Sequence, residues 1–266
     1  MKKFFLSASL LTAAVVVVVS CSKTKDVTPA DEISADVKAK VQALGFGLGT
    51  LEKHEDGYQV EGDIILTEEF LNRGIPAGTI LRAGNEEQYR TTNLVNAGTG
   101  RVITLSVDPK LGSTYVSACD EVVRRYNAEG LRLTFQRVSS NGNIVFVNAG
   151  GNFLASAGFP TSSGNPYNQV KVNSRQLNGQ PLNTIASVLA HEVGHCIGFR
   201  HTDYMDRSYS CGGAYSNEGA SSVGAILIPG TPSGPDANSW MLACIGSGMN
   251  RPFNTNDKTA LAYLYK

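Results

Sequence analysis

The chain has 266 residues, with 23 Lys plus Arg against 23 Asp plus Glu and only four histidines. Zero net charge leaves no basic footprint for nucleic acid, and 42% hydrophobic residues exclude a disordered chain. The length suits one large domain, or a small one joined to a larger one with a sizeable core.

Residues 1–20 read as a lipoprotein signal peptide. Lys2 and Lys3 make a basic start, and residues 4–19 form an apolar run. That run carries Ser7, Ser9 and Thr12 and is short for a membrane span. Val18-Val19-Ser20-Cys21 resembles a bacterial lipobox, in which Cys21 is acylated and becomes the new N-terminus. Losing Lys2 and Lys3 leaves the exported chain slightly acidic. Residues 21–33 are polar with one proline, as a tether between membrane and domain should be.

From Ser34, Val37, Val41 and Leu44 follow a helical period that ends at Gly45 and Gly47. Residues 58–66 predict a strand, 67–72 a short helix and 73–83 a loop. A second unit starts near Asn85, which gives a segment 34–88 and a domain 89–266. In that domain residues 102–107 alternate as a strand closed by Pro109. Ser113 can cap a helix bearing Tyr115, Val116, Cys119, Val122, Val123 and Tyr126 on one face. Residues 131–138 predict a strand, and the turn Asn141-Gly142-Asn143 suggests a hairpin with 144–147. A short strand over 169–172 and a helix over 183–197, stopped by Gly198, come next. Residues 205–238 are rich in Gly, Ser, Asn and Pro and predict loop. A final helix over 256–265 places Ala260, Leu261 and Leu264 inward. The sequence has no internal repeat.

Export places Cys119, Cys196, Cys211 and Cys244 in an oxidising compartment, where three pairings are open. Cys211 with Cys244 is preferred, since both lie in the Gly-rich region. Cys119 and Cys196 sit in apolar helical patterns and suit buried thiols equally well.

Three of the four histidines fall in the run His191-Glu192-Val193-Gly194-His195-Cys196-Ile197-Gly198-Phe199-Arg200-His201. His191 and His195, four apart on a helix, project from one face and can hold one metal. Gly198 lets the chain leave the helix, so that His201 supplies a third nitrogen. Three neutral imidazoles with an open fourth position mark a catalytic Zn2+ site, since structural sites are closed and Cys-rich. Glu192 lies about 100° around the helix from His191, close enough to handle a proton without ligating. This equipment fits peptide hydrolysis, with Glu192 as general base and then acid. His54 is isolated and predicts a solvated loop residue.

The run matches the metzincin pattern H-E-x-x-H-x-x-G-x-x-H, and the chain resembles the bacterial HEIGH-type (dual-action) zinc metallopeptidases over about residues 100–266. The resemblance implies an α/β (α+β) zincin fold: a twisted mixed sheet, a backing helix, an active-site helix and a C-terminal subdomain below the cleft. It makes Met241, in Ser239-Trp240-Met241, the methionine turn beneath the metal. It also makes residues 169–172 the antiparallel edge strand along which substrate lies. Leu242, Ala243 and Cys244 stand where some relatives carry a tyrosine that assists the transition state. Phe199 and Asp206-Arg207 are reminiscent of astacin-type enzymes. Asp203 either orients a zinc-binding histidine or caps its own loop.

Val60-Glu61-Gly62-Asp63-Ile64 resembles the astacin-type propeptide motif, in which an aspartate sits on the zinc. The alternative is a Gly-Asp turn in a small β unit. The first reading makes 34–88 a propeptide and Asp63 its zinc ligand.

The resulting expectation is an exported zinc endopeptidase, lipid-anchored at Cys21 to the outer membrane, cell surface or periplasmic face. It acts on polypeptides as a monomer. Two alternatives keep the zinc site: a binding lipoprotein without turnover, which Glu192 argues against, and an amidase or endopeptidase acting on cell-wall peptides.

Overall fold

A computed structural model describes residues 32–44, 46–72, 88–217, 225–232 and 236–266. The signal peptide, Cys21, most of the tether, the loop over 73–83 and the boundary near Asn85 lie outside the described residues. Residues 33–266 form one unit. Among the described residues no helix is long and apolar enough to cross a membrane.

Ser34 caps helix α1 (Ala35–Ala43) by accepting from the Val37 amide, and Val37 and Val41 are buried as their spacing requires. Strand β1 (Glu52–His54) follows. The strand expected over 58–66 is instead a hairpin of β2 (Gly57–Val60) and β3 (Ile64–Leu66), broken at Glu61-Gly62-Asp63. Glu61 and Gly62 both have positive φ, 57° and 88°, which no continuous strand can accommodate. Helix α2 (Glu68–Asn72) closes this part. These elements share a cluster of buried apolar side chains that includes Val41, Phe46, Ile64, Phe70 and Phe159.

Strand β4 (Tyr89–Arg90) leads to β5 (Arg101–Val107), a 3-10 turn at Pro109–Leu111, and helix α3 (Ser113–Asn127). Gly112, not Ser113, is the cap residue of α3; Ser113 is its first helical residue. The hairpin expected at Asn141-Gly142-Asn143 does not form. Strands β6 (Leu133–Arg137) and β7 (Ile144–Asn148) flank β5 on opposite sides, both parallel to it. The chain between them crosses β5 directly: Asn143 Oδ1 accepts from the Thr104 amide at 2.9 Å. A Cβ on Gly142 would lie 2.7 Å from Ser106 N, so only glycine can make this crossing. The Asn-Gly signal therefore marks close backbone passage here.

Strands β8 (Ala155–Gly158) and β9 (Gln169–Val172) complete the eight-stranded mixed sheet, ordered β1-β2-β3-β8-β9-β7-β5-β6. Strand β9 lies inside, antiparallel to β8 and parallel to β7, which corrects its expected edge position. Strand β8 borders the first three strands, and its outer side pairs in parallel with β3. A short helix α4 (Ser174–Leu177) precedes the long helix α5 (Leu182–Ile197). Gly198 caps α5 at φ 113°, in the left-handed region that glycine tolerates. Helices α3 and α5 pack on one face of the sheet, and Tyr126 Oη of α3 donates to the Ala190 carbonyl at 2.8 Å.

Within 205–238, expected to be mostly loop, lie a short helix α6 (Ser208–Cys211) and strand β10 (Ile226–Leu227), which pairs with β4. Cys211 and Cys244 form the preferred disulfide, while Cys119 and Cys196 are buried thiols. Helix α7 (Thr255–Tyr265) buries Ala260, Leu261 and Tyr265; Leu264 is only half-buried. Tyr265 Oη donates to the Ile197 carbonyl, tying α7 to the end of α5.

Candidate metal centre

His191 and His195 stand on the buried C-terminal half of α5, and the Gly198 turn returns His201 to them. The imidazoles are fixed from behind. His191 Nδ1 lies 2.9 Å from the Trp240 carbonyl and His195 Nδ1 2.8 Å from the Phe199 carbonyl. A carbonyl only accepts, so both Nδ1 atoms carry protons, and in a neutral ring Nε2 is then a bare lone pair. Those two Nε2 atoms are 3.0 Å apart, and His201 Nε2 is 3.3 Å from that of His195. Acceptor lone pairs at such range repel one another unless a cation lies between them.

Asp63 completes the group. Its Oδ2 is 3.1 Å from His201 Nε2 and 3.7 Å from His191 Nε2, and all four ligand atoms lie within 4.8 Å of one another. Burial alone raises the Asp63 pKa, but His201, His191 and His195 outweigh it and hold the carboxyl well below its usual range. His195 also lies well below its ordinary value, through burial and the neighbouring histidines. Three imidazole nitrogens and one carboxylate oxygen gathered this closely suit Zn2+.

Glu192 is almost fully buried beside this group, and its Oε2 has no hydrogen-bond partner. Burial, then the Asp63 charge, pushes its carboxyl well above the usual range. It lines a cavity of about 250 Å³ together with His191, Val188, Leu242 and Ile245. Gly62 and Asp63 line the same cavity, so the turn of the β2–β3 hairpin occupies the cleft.

Met241 is fully buried against α5: a Cβ added to Gly194 would meet its Sδ at 2.5 Å. The Met241 carbonyl also accepts from the Thr202 amide at 3.0 Å, next to His201. Gly194→Ala is therefore expected to overpack this junction and cost about 1–3 kcal/mol. An unchanged urea midpoint would show that the methionine yields without strain.

A supporting residue of the site went unremarked in the sequence. Asp257, the capping-box residue of α7, accepts from the Trp240 amide, Ser239 Oγ and Gln88 Nε2. It thereby holds the backbone whose carbonyl orients His191. The spacing Asn254-x-x-Asp257 was the available signal. Burial overrides these donors and raises the Asp257 pKa to about 6. Asp257→Asn leaves a donor facing a buried N–H and is expected to cost about 1–3 kcal/mol at neutral pH. Because the folded-state pKa lies above that of the unfolded chain, the folded protein binds the extra proton between about pH 4 and 6. Asp257 thus contributes most below that window, and its contribution falls as pH rises through 6. The stability difference between the parent and Asp257→Asn should shrink from pH 4 to 7; a flat difference would contradict the assignment.

Two further contacts join distant parts of the sequence. Arg200 and Glu61, both buried, form an ion pair, and Arg207 Nη1 donates to the Glu61 carbonyl. Lys171 of β9, also buried, pairs with Glu55 and Asp56 and meets His54 Nε2 at 3.1 Å. His54 is therefore a partner of Lys171, not a solvated loop residue, and burial and then Lys171 lower its pKa. Among the described residues the Asp203 carboxylate accepts from the Ala243 amide and Ser210 Oγ, joining the segment after His201 to that after Met241.

The dual-action HEIGH metallo-peptidase family matches residues 58–265 of this chain. No curated protein matches it. Among solved structures it is similar to high choriolytic enzyme 1, a hatching-enzyme zinc protease from the medaka fish Oryzias latipes. That match has 13% identity and a TM-score of 0.41, over 65% of this chain and 92% of that one. Two structures of myroilysin are similar at 17% identity, with TM-scores of 0.38 and 0.37. They cover 63% and 73% of this chain and 81% and 97% of their own.

Proposed function

The chain belongs to the dual-action HEIGH metallopeptidase family and is a zinc metallopeptidase, and from that premise we propose that His191, His195 and His201 hold the zinc, Glu192 is the general base and acid, and residues 34–88 are a propeptide whose Asp63 keeps the full-length chain latent. The observation that carries this reading is the Asp63 carboxylate inserted among three imidazoles, two of which have the proton held on Nδ1 by a backbone carbonyl and so turn a bare Nε2 towards the centre.

When bound, zinc supplies Lewis acidity, which acidifies water and polarises a carbonyl. The remaining work belongs to side chains. The Trp240 and Phe199 carbonyls keep His191 and His195 in the ligating tautomer. Glu192 takes a proton from the attacking water onto its carboxylate and returns it to the leaving amine. Its burial favours the protonated form, which suits the second of these transfers. An extended substrate would pair with the outer side of β8, which β3 covers in the full-length chain. The metal group, Glu192 and the Gly62-Asp63 turn share one cleft, and this favours an endopeptidase with a built-in lock over a zinc carrier.

Incubation of the full-length chain, followed by N-terminal sequencing and metal analysis, tests this reading. Bound zinc and a new N-terminus between residues 73 and 89 are expected. A chain that takes up no zinc, or acts on peptides while keeping residues 34–88 in place, would overturn it. Digestion of a soluble polypeptide beside purified peptidoglycan separates general proteolysis from action on cell-wall peptides.

Export and acylation at Cys21 belong to the same proposal, supported by the 1–21 sequence and by the Cys211–Cys244 disulfide, which suits an oxidising compartment. A Cys21→Ser chain should lose its lipid label and its membrane attachment.

A further inference from the structure

Arg200 directly precedes the third histidine of the metal group and is fully buried. Its guanidinium carbon lies 4.4 Å from the Phe46 ring centroid and 5.4 Å from that of Tyr204. Nη2 donates to Glu61 Oε1, whereas Nε and Nη1 have no hydrogen-bond partner. A buried guanidinium with two unmatched donors is costly to keep for packing alone.

Of these three neighbours, Phe46 and Glu61 belong to the segment 34–88. Release of that segment strips Arg200 of its counter-ion and leaves a five-donor fork beside the metal group. Glu61 has a φ of 57°, uncommon for a residue with a side chain, and Arg207 holds its carbonyl. The backbone is thus bent where it sets the Glu61 carboxylate on Arg200, two positions before Asp63 reaches the histidines. The segment lies in the cleft, paired along β8 and threaded past the metal group. Arg200 lies outside the lining of the 250 Å³ cavity and so offers a separate subsite.

We propose that Arg200 is a specificity-determining residue: in the processed enzyme its guanidinium takes the carboxylate of an acidic substrate side chain, for which Glu61 is the built-in stand-in. The inference rests on reading 34–88 as a propeptide lying in a peptidase cleft. A planar fork matches a carboxylate in two-pronged fashion, and a glutamine amide offers only one acceptor in its place.

The test uses the full-length chain activated by limited trypsin cleavage, for which the sequence offers Arg73 and Arg82. Amidated peptides differing only in Glu or Gln at each position around the scissile bond are compared for kcat/KM. The matching product peptides are compared for Kd on the processed Glu192→Gln enzyme, a readout independent of turnover. At one position Glu should be favoured by about tenfold or more in both measures. That ratio should fall to about one in Arg200→Gln, and Arg200→Glu should favour Lys there. The parent's own ratio needs no variant that must fold. A parent indifferent to Glu and Gln at every position, in kcat/KM and Kd alike, would overturn the proposal and leave Arg200 as a latch for the propeptide. Failure to cleave both peptide series would count against the peptidase reading, and the Kd comparison would still decide the role of Arg200.

Discussion

Replacing Glu192 by Gln should lower peptide hydrolysis by about 10²–10⁴-fold in the processed enzyme while leaving zinc content unchanged. Three features point to that split. Glu192 contributes no atom to the metal-holding group, which consists of Asp63 and the three histidines. Its carboxyl lines the cleft, and one oxygen is without a hydrogen-bond partner, as a group waiting for a reacting proton would be. Glutamine keeps the shape and volume of the buried site but cannot accept and return a proton. Stability should therefore change little beside the loss in rate. Zinc analysis and kcat on a single peptide decide the matter together. A variant that retains the parent rate would remove Glu192 from the mechanism and favour a zinc-binding protein without turnover.

The second large effect concerns latency. Asp63→Ala should raise the activity of the unprocessed chain by roughly 10–100-fold, and still leave it below that of the processed enzyme. Under the proposed latency the carboxylate is one of several restraints that act at once. The pairing of β3 with β8, the buried Glu61–Arg200 pair and the cluster of Lys171 with Glu55 and Asp56 all remain in the variant. The Gly62 backbone also remains in the cleft, so the variant opens the metal group without clearing the path of the substrate. If Asp63→Ala leaves the unprocessed activity unchanged, the Gly-Asp motif is only a turn between two strands.

The parts of this site that were legible in the sequence are those set by short-range geometry. The i, i+4 spacing of His191 and His195, the glycine at position 198 and the return to His201 follow from helix pitch and from what glycine alone permits. Short motifs misled where their local meaning has two forms. Asn141-Gly142 suits a hairpin turn, but it also suits a chain crossing a neighbouring backbone, and nothing within a few residues distinguishes them. The continuous apolar-and-polar run over 58–66 concealed a break at Glu61-Gly62. The pull of the cleft on Asp63 comes from residues more than a hundred positions away. A comparable separation hid Glu61 with Arg200 and Lys171 with Glu55, and one of 17 residues hid the backing of Trp240 by Asp257. Each of these pairs unites a charged residue with a partner from a different part of the chain, and a single sequence carries no periodic trace of such contacts. The interior position of β9 was lost for a related reason. The strand that borders the cleft is β8, whose four residues Ala-Ser-Ala-Gly lack the β-branched and aromatic side chains by which strands are recognised.

In the proposed latent form Asp63 fills the fourth position of the metal held by His191, His195 and His201. Diffraction from zinc-loaded full-length crystals, recorded at the zinc edge, tests it most directly. One anomalous peak is expected, with three imidazole nitrogens and an Asp63 oxygen each about 2.0–2.2 Å away. A peak coordinated by the three histidines and water, with Asp63 turned out of the cleft, would contradict it.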